Sequence, residues 1–106
     1  MSLQSKSAPA SLTDPVRDFL SYLSVERGYA AATIQAYDHD LALYVRYLCT
    51  SDRAISSFSD VDRNDIVAFE SWLIQSKRYE PSSMNRVISA VKSLHRFLVA
   101  EGQCAQ

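Results

Sequence analysis

The reactive side chains of this sequence do not form the constellations that enzymes use. The histidines are His39 and His95, and neither stands near a serine or cysteine nucleophile in a recognisable motif. Of the six tyrosines, Tyr37 and Tyr44 lie on an apolar helical stripe, which predicts core aromatics rather than a tyrosine nucleophile. We therefore assign no catalytic residue to this chain.

Metal and cofactor sites are not indicated either. Cys49 lies in an apolar helical stretch and Cys104 in a polar tail, so we interpret both as free thiols in a reducing compartment. The cysteines, histidines and acidic residues lack structural zinc spacing, and the sequence contains no phosphate-binding loop or dinucleotide-binding glycine motif. We expect no metal and no cofactor.

The polar face of the last amphipathic segment carries the clearest chemical signal. Its first part is rich in hydroxyls and its later part is cationic. Small side chains let a helix approach a phosphate chain closely, and Asn85 and Arg86 are types that bond adenine and guanine edges. Lys92 and Arg96, four residues apart, share a side and can neutralise phosphates. This pattern indicates a DNA-binding face, although an ordinary solvated face has the same composition.

Four amphipathic segments must position these side chains. Their apolar residues recur with the 3.6-residue period of a helix, and they span Asp14–Arg27, Ala31–Cys49, Asp62–Gln75 and Pro81–Glu101. Asp14 and Asp62 are predicted N-caps, with Pro15 at a first helical position and Asp65 in the capping-box position of Asp62. Gly28 and Gly102 are predicted helix stops. The longer loop 51–61 contains Ile55 and Phe58, which we expect to pin it onto the core.

Composition agrees with one small helical domain. The chain has 106 residues, 47% of them hydrophobic, and its two glycines and three prolines leave little material for the turns of a sheet. No apolar run approaches the length needed to cross a bilayer. The net charge of −1 hides an asymmetry, because residues 1–76 carry −4 and residues 77–106 carry +3. We predict an all-α bundle of four helices, a disordered tail over 1–12, a helical domain over 13–102 and a second tail over 103–106.

The order of residues resembles the N-terminal core-binding domain of tyrosine recombinases, the phage-integrase and Xer-like family. The stretch from 19 to 48, FLSYLSVERGYAAATIQAYDHDLALYVRYL, contains the family's Gly, Thr, Ala-Tyr and Asp-Leu order. DRNDIVAFESWL is similar to the family's third helix, and SSMNRVISAVKSLHRFLVAEG to its fourth. Three pieces in the right order and spacing make the resemblance fairly specific.

The resemblance implies a fold and a partner. It implies a SAM-like orthogonal bundle that clamps double-stranded DNA opposite a C-terminal catalytic domain, which is absent from this chain. The chain alone would then be no enzyme but a fragment of a DNA breaking and rejoining recombinase, acting in DNA recombination and integration. Other recombinase subunits would be partners on DNA, the setting would be cytoplasmic, and no membrane would be involved.

The resemblance also selects candidate contact residues. In the family, helices two and four face DNA, which makes Thr33 a phosphate contact and Gln35 an adjacent candidate. The candidates on the fourth helix are the residues of its polar face, namely Ser82, Ser83, Asn85, Arg86, Ser89, Lys92 and Arg96. Among these we favour Arg86 and Lys92. Lys92 stands where the family usually has arginine, which suits a phosphate better than guanine.

A second class of function remains open on the sequence alone. Small helical bundles also serve as protein-interaction modules that bind partners through a groove or an exposed helix. The net charge of −1 suits such a module at least as well as it suits a DNA-binding domain. An exposed apolar groove without a basic face would favour this alternative.

Overall fold

The computed structural model describes residues 8–51, 55–77 and 80–104, and these residues are almost entirely helical. They form four α-helices, α1 (Ala10–Val25), α2 (Ala31–Thr50), α3 (Arg63–Trp72) and α4 (Pro81–Ala100). A 3₁₀ turn, Phe58–Asp60, precedes α3, and a π-helical turn, Leu73–Lys77, follows it. The described ranges contain no strand. The prediction of an all-α fold with four helices is confirmed.

The core lies where α1, α2 and α4 pack against one another. Each helix contributes one apolar stripe, as the 3.6-residue period predicts. Phe19 of α1 is central, because its ring contacts Tyr37 of α2 and Phe97 of α4 at centroid distances of 6.1 and 5.3 Å. The fully buried aliphatic side chains of these three helices are Leu12, Leu41, Leu48, Val87, Val91, Leu94 and Leu98. This three-helix packing fixes the outward faces of α2 and α4.

The start of α1 differs from its prediction. The helix begins at Ala10, not at Asp14, and Pro15 lies inside it rather than at its first position. The physical reason is Leu12, which lies four residues before Val16 on the same stripe and is fully buried. The predicted tail 1–12 therefore overlaps the helix from Ala10 onward, and its residues 1–7 lie outside the described ranges, as do residues 105–106 of the second tail.

The segment between α2 and α3 is anchored on the core, as predicted. Ile55 and Phe58 are buried, and the Ile55 amide donates to the Leu48 carbonyl at 3.0 Å. Tyr44 of α2 contacts both the loop and α3, because its ring stacks on Phe58 at a centroid distance of 6.1 Å and contacts Phe69 of α3 at 5.1 Å. The anchored loop and α3 thus both contact Tyr44, and Tyr47 of α2 adds ring contacts to Phe69 and Trp72 of α3.

Helix α3 begins with the capping box expected from its sequence. The Asp62 carboxylate accepts from the Asp65 amide at 3.0 Å, and the Asp65 carboxylate accepts from the Asp62 amide at 2.9 Å. Two amides without partners inside the helix are thereby satisfied. The two glycines also end helices as predicted, because Gly28 and Gly102 have φ of 67° and 76°, which L-residues with side chains rarely adopt.

Candidate nucleic-acid interface

The predicted DNA-binding residues of α4 form one exposed stripe. Apart from Asn85, which lies one residue before Arg86, its exposed members follow one another at intervals of three or four residues, the spacing that aligns side chains on one side of a helix. Six of the side chains that we call the α4 stripe are exposed, and they are Ser82, Asn85, Arg86, Ser89, Lys92 and Arg96. Ser83, the remaining α4 candidate, is half-buried at the stripe's edge. The structure therefore brings the α4 candidates together on the side opposite the buried stripe.

Arg86 is held by a buried carboxylate of α2. Its Nε and Nη2 atoms donate to the two oxygens of Asp40, each at 2.8 Å. Asp40 is only 1% exposed, whereas the Arg86 side chain is 53% exposed. Because Asp40 neutralises its charge at close range, Arg86 adds little net positive potential to the stripe. The Nε–Nη2 edge, which would otherwise be suited to a base, is occupied in this arrangement.

The two candidates on α2 point in different directions. Thr33 is exposed and lies seven residues before Asp40, so both occupy the side of α2 that carries the Arg86 contact. Gln35 is also exposed, but two residues of a helix correspond to about 200° of rotation. Gln35 therefore shares its side with His39 and Arg46. The structure brings Thr33, and not Gln35, to the side of the Asp40–Arg86 pair.

Lys92 and Arg96 are the stripe's cations without a carboxylate partner in the described residues. Lys92 is exposed, and Arg96 donates from Nη2 to the Ser93 hydroxyl at 3.3 Å. Arg96 also lines a groove of about 390 Å³ between α1, the start of α2 and the end of α4. These two charges supply the positive potential that a phosphate backbone would meet.

His95 and Tyr44 form a part-buried pair that serves packing. The Tyr44 hydroxyl lies 2.8 Å from His95 Nε2, and both rings contact Phe58. Burial raises the pKa of Tyr44 and lowers the pKa of His95, so the neutral form of each is favoured. A buried neutral phenol is a poor nucleophile.

Other kinds of site are not found in the described ranges. No group of three or more histidine, cysteine, aspartate or glutamate side chains there is arranged to hold a metal ion. Within the same ranges, none of the helices combines the length and apolar character needed to span a bilayer. Cys49 and Cys104 are free, as predicted, and the structure shows that both are half-buried.

The fold and the stripe define a small helical domain in which the polar side of α4 faces outward. The model of the phage integrase N-terminal SAM-like domain matches residues 16–102. The chain therefore belongs to this family, which confirms the resemblance carried by its three sequence motifs.

Curated relatives agree with that assignment. The chain is 36% identical over 92 residues to tyrosine recombinase XerD of Listeria innocua, covering 87% of this chain and 30% of the relative. It is 40% identical over 83 residues to tyrosine recombinase XerC of Herpetosiphon aurantiacus, covering 78% and 26%. The chain thus spans about a third or less of the length of these relatives. No solved structure matches it significantly.

Two residues of this surface were missed by the sequence analysis. Asp40 was noted only as part of a family motif, yet it fixes the position of Arg86. A signal was available, because Asp40 falls between Tyr37 and Tyr44 on the apolar side of α2, where a carboxylate needs a cationic partner. Arg27 also lines the groove beside Arg96, and nothing in its local sequence distinguishes it from a solvated helix end.

Proposed function

We propose that this chain is the DNA-binding, core-binding domain of a site-specific tyrosine recombinase. The exposed stripe along α4, which runs from small hydroxyl and amide side chains to Lys92 and Arg96, is the observation that carries the proposal. Membership of the integrase family supports it. The sequence-based limits of this domain, residues 13–102, stay a prediction; the family model matches residues 16–102, and α1 begins at Ala10.

The mechanism that we propose is binding without catalysis by this chain. Lys92 and Arg96 contact phosphates, while Ser82, Ser83 and Ser89 allow α4 to approach the duplex closely. Asn85 and Thr33 add limited base or phosphate contacts, and Arg86 contributes beside them while its Nε and Nη2 atoms donate to Asp40. Phosphate contacts fix register and contribute most of the affinity of such a surface.

The proposal extends to the longer protein by family membership. The cleavage and rejoining chemistry belongs to a catalytic domain outside this chain, with double-stranded DNA and other recombinase subunits as partners, in the cytoplasm. The Gln35 contact is the weakest part of the proposed site, because Gln35 lies on the side of α2 away from Asp40.

Fluorescence anisotropy of a labelled duplex of about 30 base pairs, titrated with the chain across a salt series, tests the proposal. A lone binding module is expected to fall near the nonspecific range of roughly 10⁻⁴ to 10⁻⁶ M. Lys92→Ala should weaken binding and reduce the slope of log K against log salt by about 0.9. Arg63→Ala is the matched control, because Arg63 is an exposed cation on α3 rather than on the α4 stripe.

The opposite result would contradict the proposal in a specific way. If Lys92→Ala and Arg63→Ala weaken binding equally, the α4 stripe is not the interface. Absence of salt-sensitive binding at millimolar protein would favour the alternative, a protein-interaction module. The groove between α1 and α2, of about 360 Å³ and lined by Val16, Leu20 and Val45 among others, is the feature that favours that alternative.

A further inference from the structure

The groove between α1, α2 and α4 connects the end of the α4 stripe with residues that the proposed DNA interface does not include. We call it the tyrosine groove, since Tyr22, Tyr29 and Tyr37 line it together with Phe97. Ser93 and Arg96 form its α4 wall, so the groove and the α4 stripe are continuous. Its volume of about 390 Å³ is sufficient for a phosphate with its adjoining sugar.

The turn after α1 places a second arginine in this groove. Gly28, at φ 67°, ends the helix, and the Tyr29 amide bonds back to the Leu23 carbonyl at 3.0 Å. The backbone of Arg27, just before Gly28, is fixed by its amide, which donates to the Tyr22 carbonyl at 3.2 Å. Its guanidinium carbon lies 5.7 Å from the centroid of the Tyr29 ring. Arg27 is therefore oriented by backbone and aromatic contacts rather than by a carboxylate.

Charge favours an anion in the tyrosine groove. Arg27 and Arg96 both line it, and neither forms an ion pair within the described part of the chain. Glu101 also lines the groove, so two guanidinium groups face one carboxylate. Arg17 and Arg86, by contrast, are paired with Asp14 and Asp40. Guanidinium groups are suited to phosphate oxygens, and aromatic rings offer an apolar surface to a sugar.

We propose that the tyrosine groove receives a backbone phosphate of the bound duplex and that Arg27 is a contact to it. The inference rests on the proposed DNA-binding function and extends the interface beyond α4 to the end of α1. The DNA backbone would continue from Lys92 and Arg96 into the groove, with Tyr22 and Tyr37 beneath its sugar. Glu101 would oppose this contact and limit its strength.

The same duplex titration tests Arg27 with Arg27→Ala. Loss of one phosphate contact reduces the magnitude of the slope of log K against log salt by about 0.9. The ratio of wild-type to variant affinity should therefore fall about 3.5-fold between 50 and 200 mM salt. Glu101→Gln should have the opposite sign and tighten binding. The matched control is Arg46→Ala, which removes an exposed arginine from the other side of α2. Thermal unfolding of each variant verifies that the fold is retained.

The outcomes separate this inference from the proposed function. If Lys92→Ala lowers the salt slope but Arg27→Ala behaves like Arg46→Ala, the groove contact is refuted and the α4 interface stands. If Lys92→Ala has no effect, the proposed interface fails, and with it the continuity on which the groove contact depends. A change in slope for Arg27→Ala, together with tighter binding of Glu101→Gln, supports the groove contact.

Discussion

Replacing Arg86 by alanine should destabilise the fold much more than its exposure suggests. Asp40 is 1% exposed and both of its oxygens accept from Arg86 at 2.8 Å. Removing one partner of a buried pair strands the other charge and costs about 3–5 kcal/mol. Because the Arg86 side chain is 53% exposed, water already shields part of the pair, and we take the lower limit, about 3 kcal/mol.

Substituting the other partner, Asp40, should reduce stability less than Arg86→Ala, because Asp40 is buried whereas Arg86 is half exposed. Asp40→Asn leaves the arginine, which is half exposed and can be hydrated, so the loss is limited to the charge-assisted hydrogen bonds, about 1.5 kcal/mol. Arg17→Ala is the control for an exposed pair, since Arg17 and Asp14 are 73% and 59% exposed and lie 3.0 Å apart. We expect a cost below about 1 kcal/mol there.

Urea unfolding followed by helical circular dichroism measures these differences. For a domain of this size, about 3 kcal/mol also corresponds to a fall in Tm of roughly 12 °C or more. The reasoning is refuted if Arg86→Ala costs no more than Arg17→Ala, or if Asp40→Asn costs more than Arg86→Ala. A DNA-binding loss in Arg86→Ala is informative only after this correction, which is why Lys92 carries the test of the interface.

Two further expectations concern stability. The pKa of His95 is lowered by burial, so the unfolded chain binds more protons just below pH 6.5 and stability falls as the pH decreases through that region. Between pH 7 and 5, the Tm of His95→Gln should therefore decrease less than the Tm of the wild type. His39→Gln is the exposed control, and a decrease as small for His39→Gln as for His95→Gln would contradict this attribution. Ala30, the N-cap of α2, makes no side-chain cap bond, so Ala30→Ser should raise the free energy of unfolding measured in urea by about 1 kcal/mol. Ala32→Ser, inside the first turn, is the control, and an equal gain from it would exclude capping as the cause.

The helices were largely predictable because each has one apolar stripe and clear end signals. The capping box of Asp62 and Asp65 and the stop at Gly28 depend only on neighbouring residues, which is why local patterns found them. The start of α1 was not found because Pro15 suggests a first helical position, whereas burial of Leu12 extends the helix past it. Local signals compete there with a tertiary contact that the sequence does not display.

The candidate site was predictable as a stripe but not as a set of contacts. The exposure of Ser89 and Lys92 follows from helical period alone. The engagement of Arg86 by Asp40 joins residues 46 positions apart, and the place of Arg27 beside Arg96 depends on how α1 packs against α4. Such contacts arise from the tertiary arrangement, so a single sequence shows which residue types are present but not which of them lie next to one another.

The position of Tyr44 has a consequence for how the domain opens. One ring contacts Phe58 of the loop and Phe69 of α3, and its hydroxyl is bonded to His95 of α4. Withdrawal of the loop or of α3 would expose this ring and break its bond to α4, so neither can detach without weakening the three-helix core. Amide hydrogen exchange at Ile55 and in α3 should therefore follow global unfolding rather than local fraying. The segment between α2 and α3 acts as a cooperative part of the core despite lacking a long helix of its own.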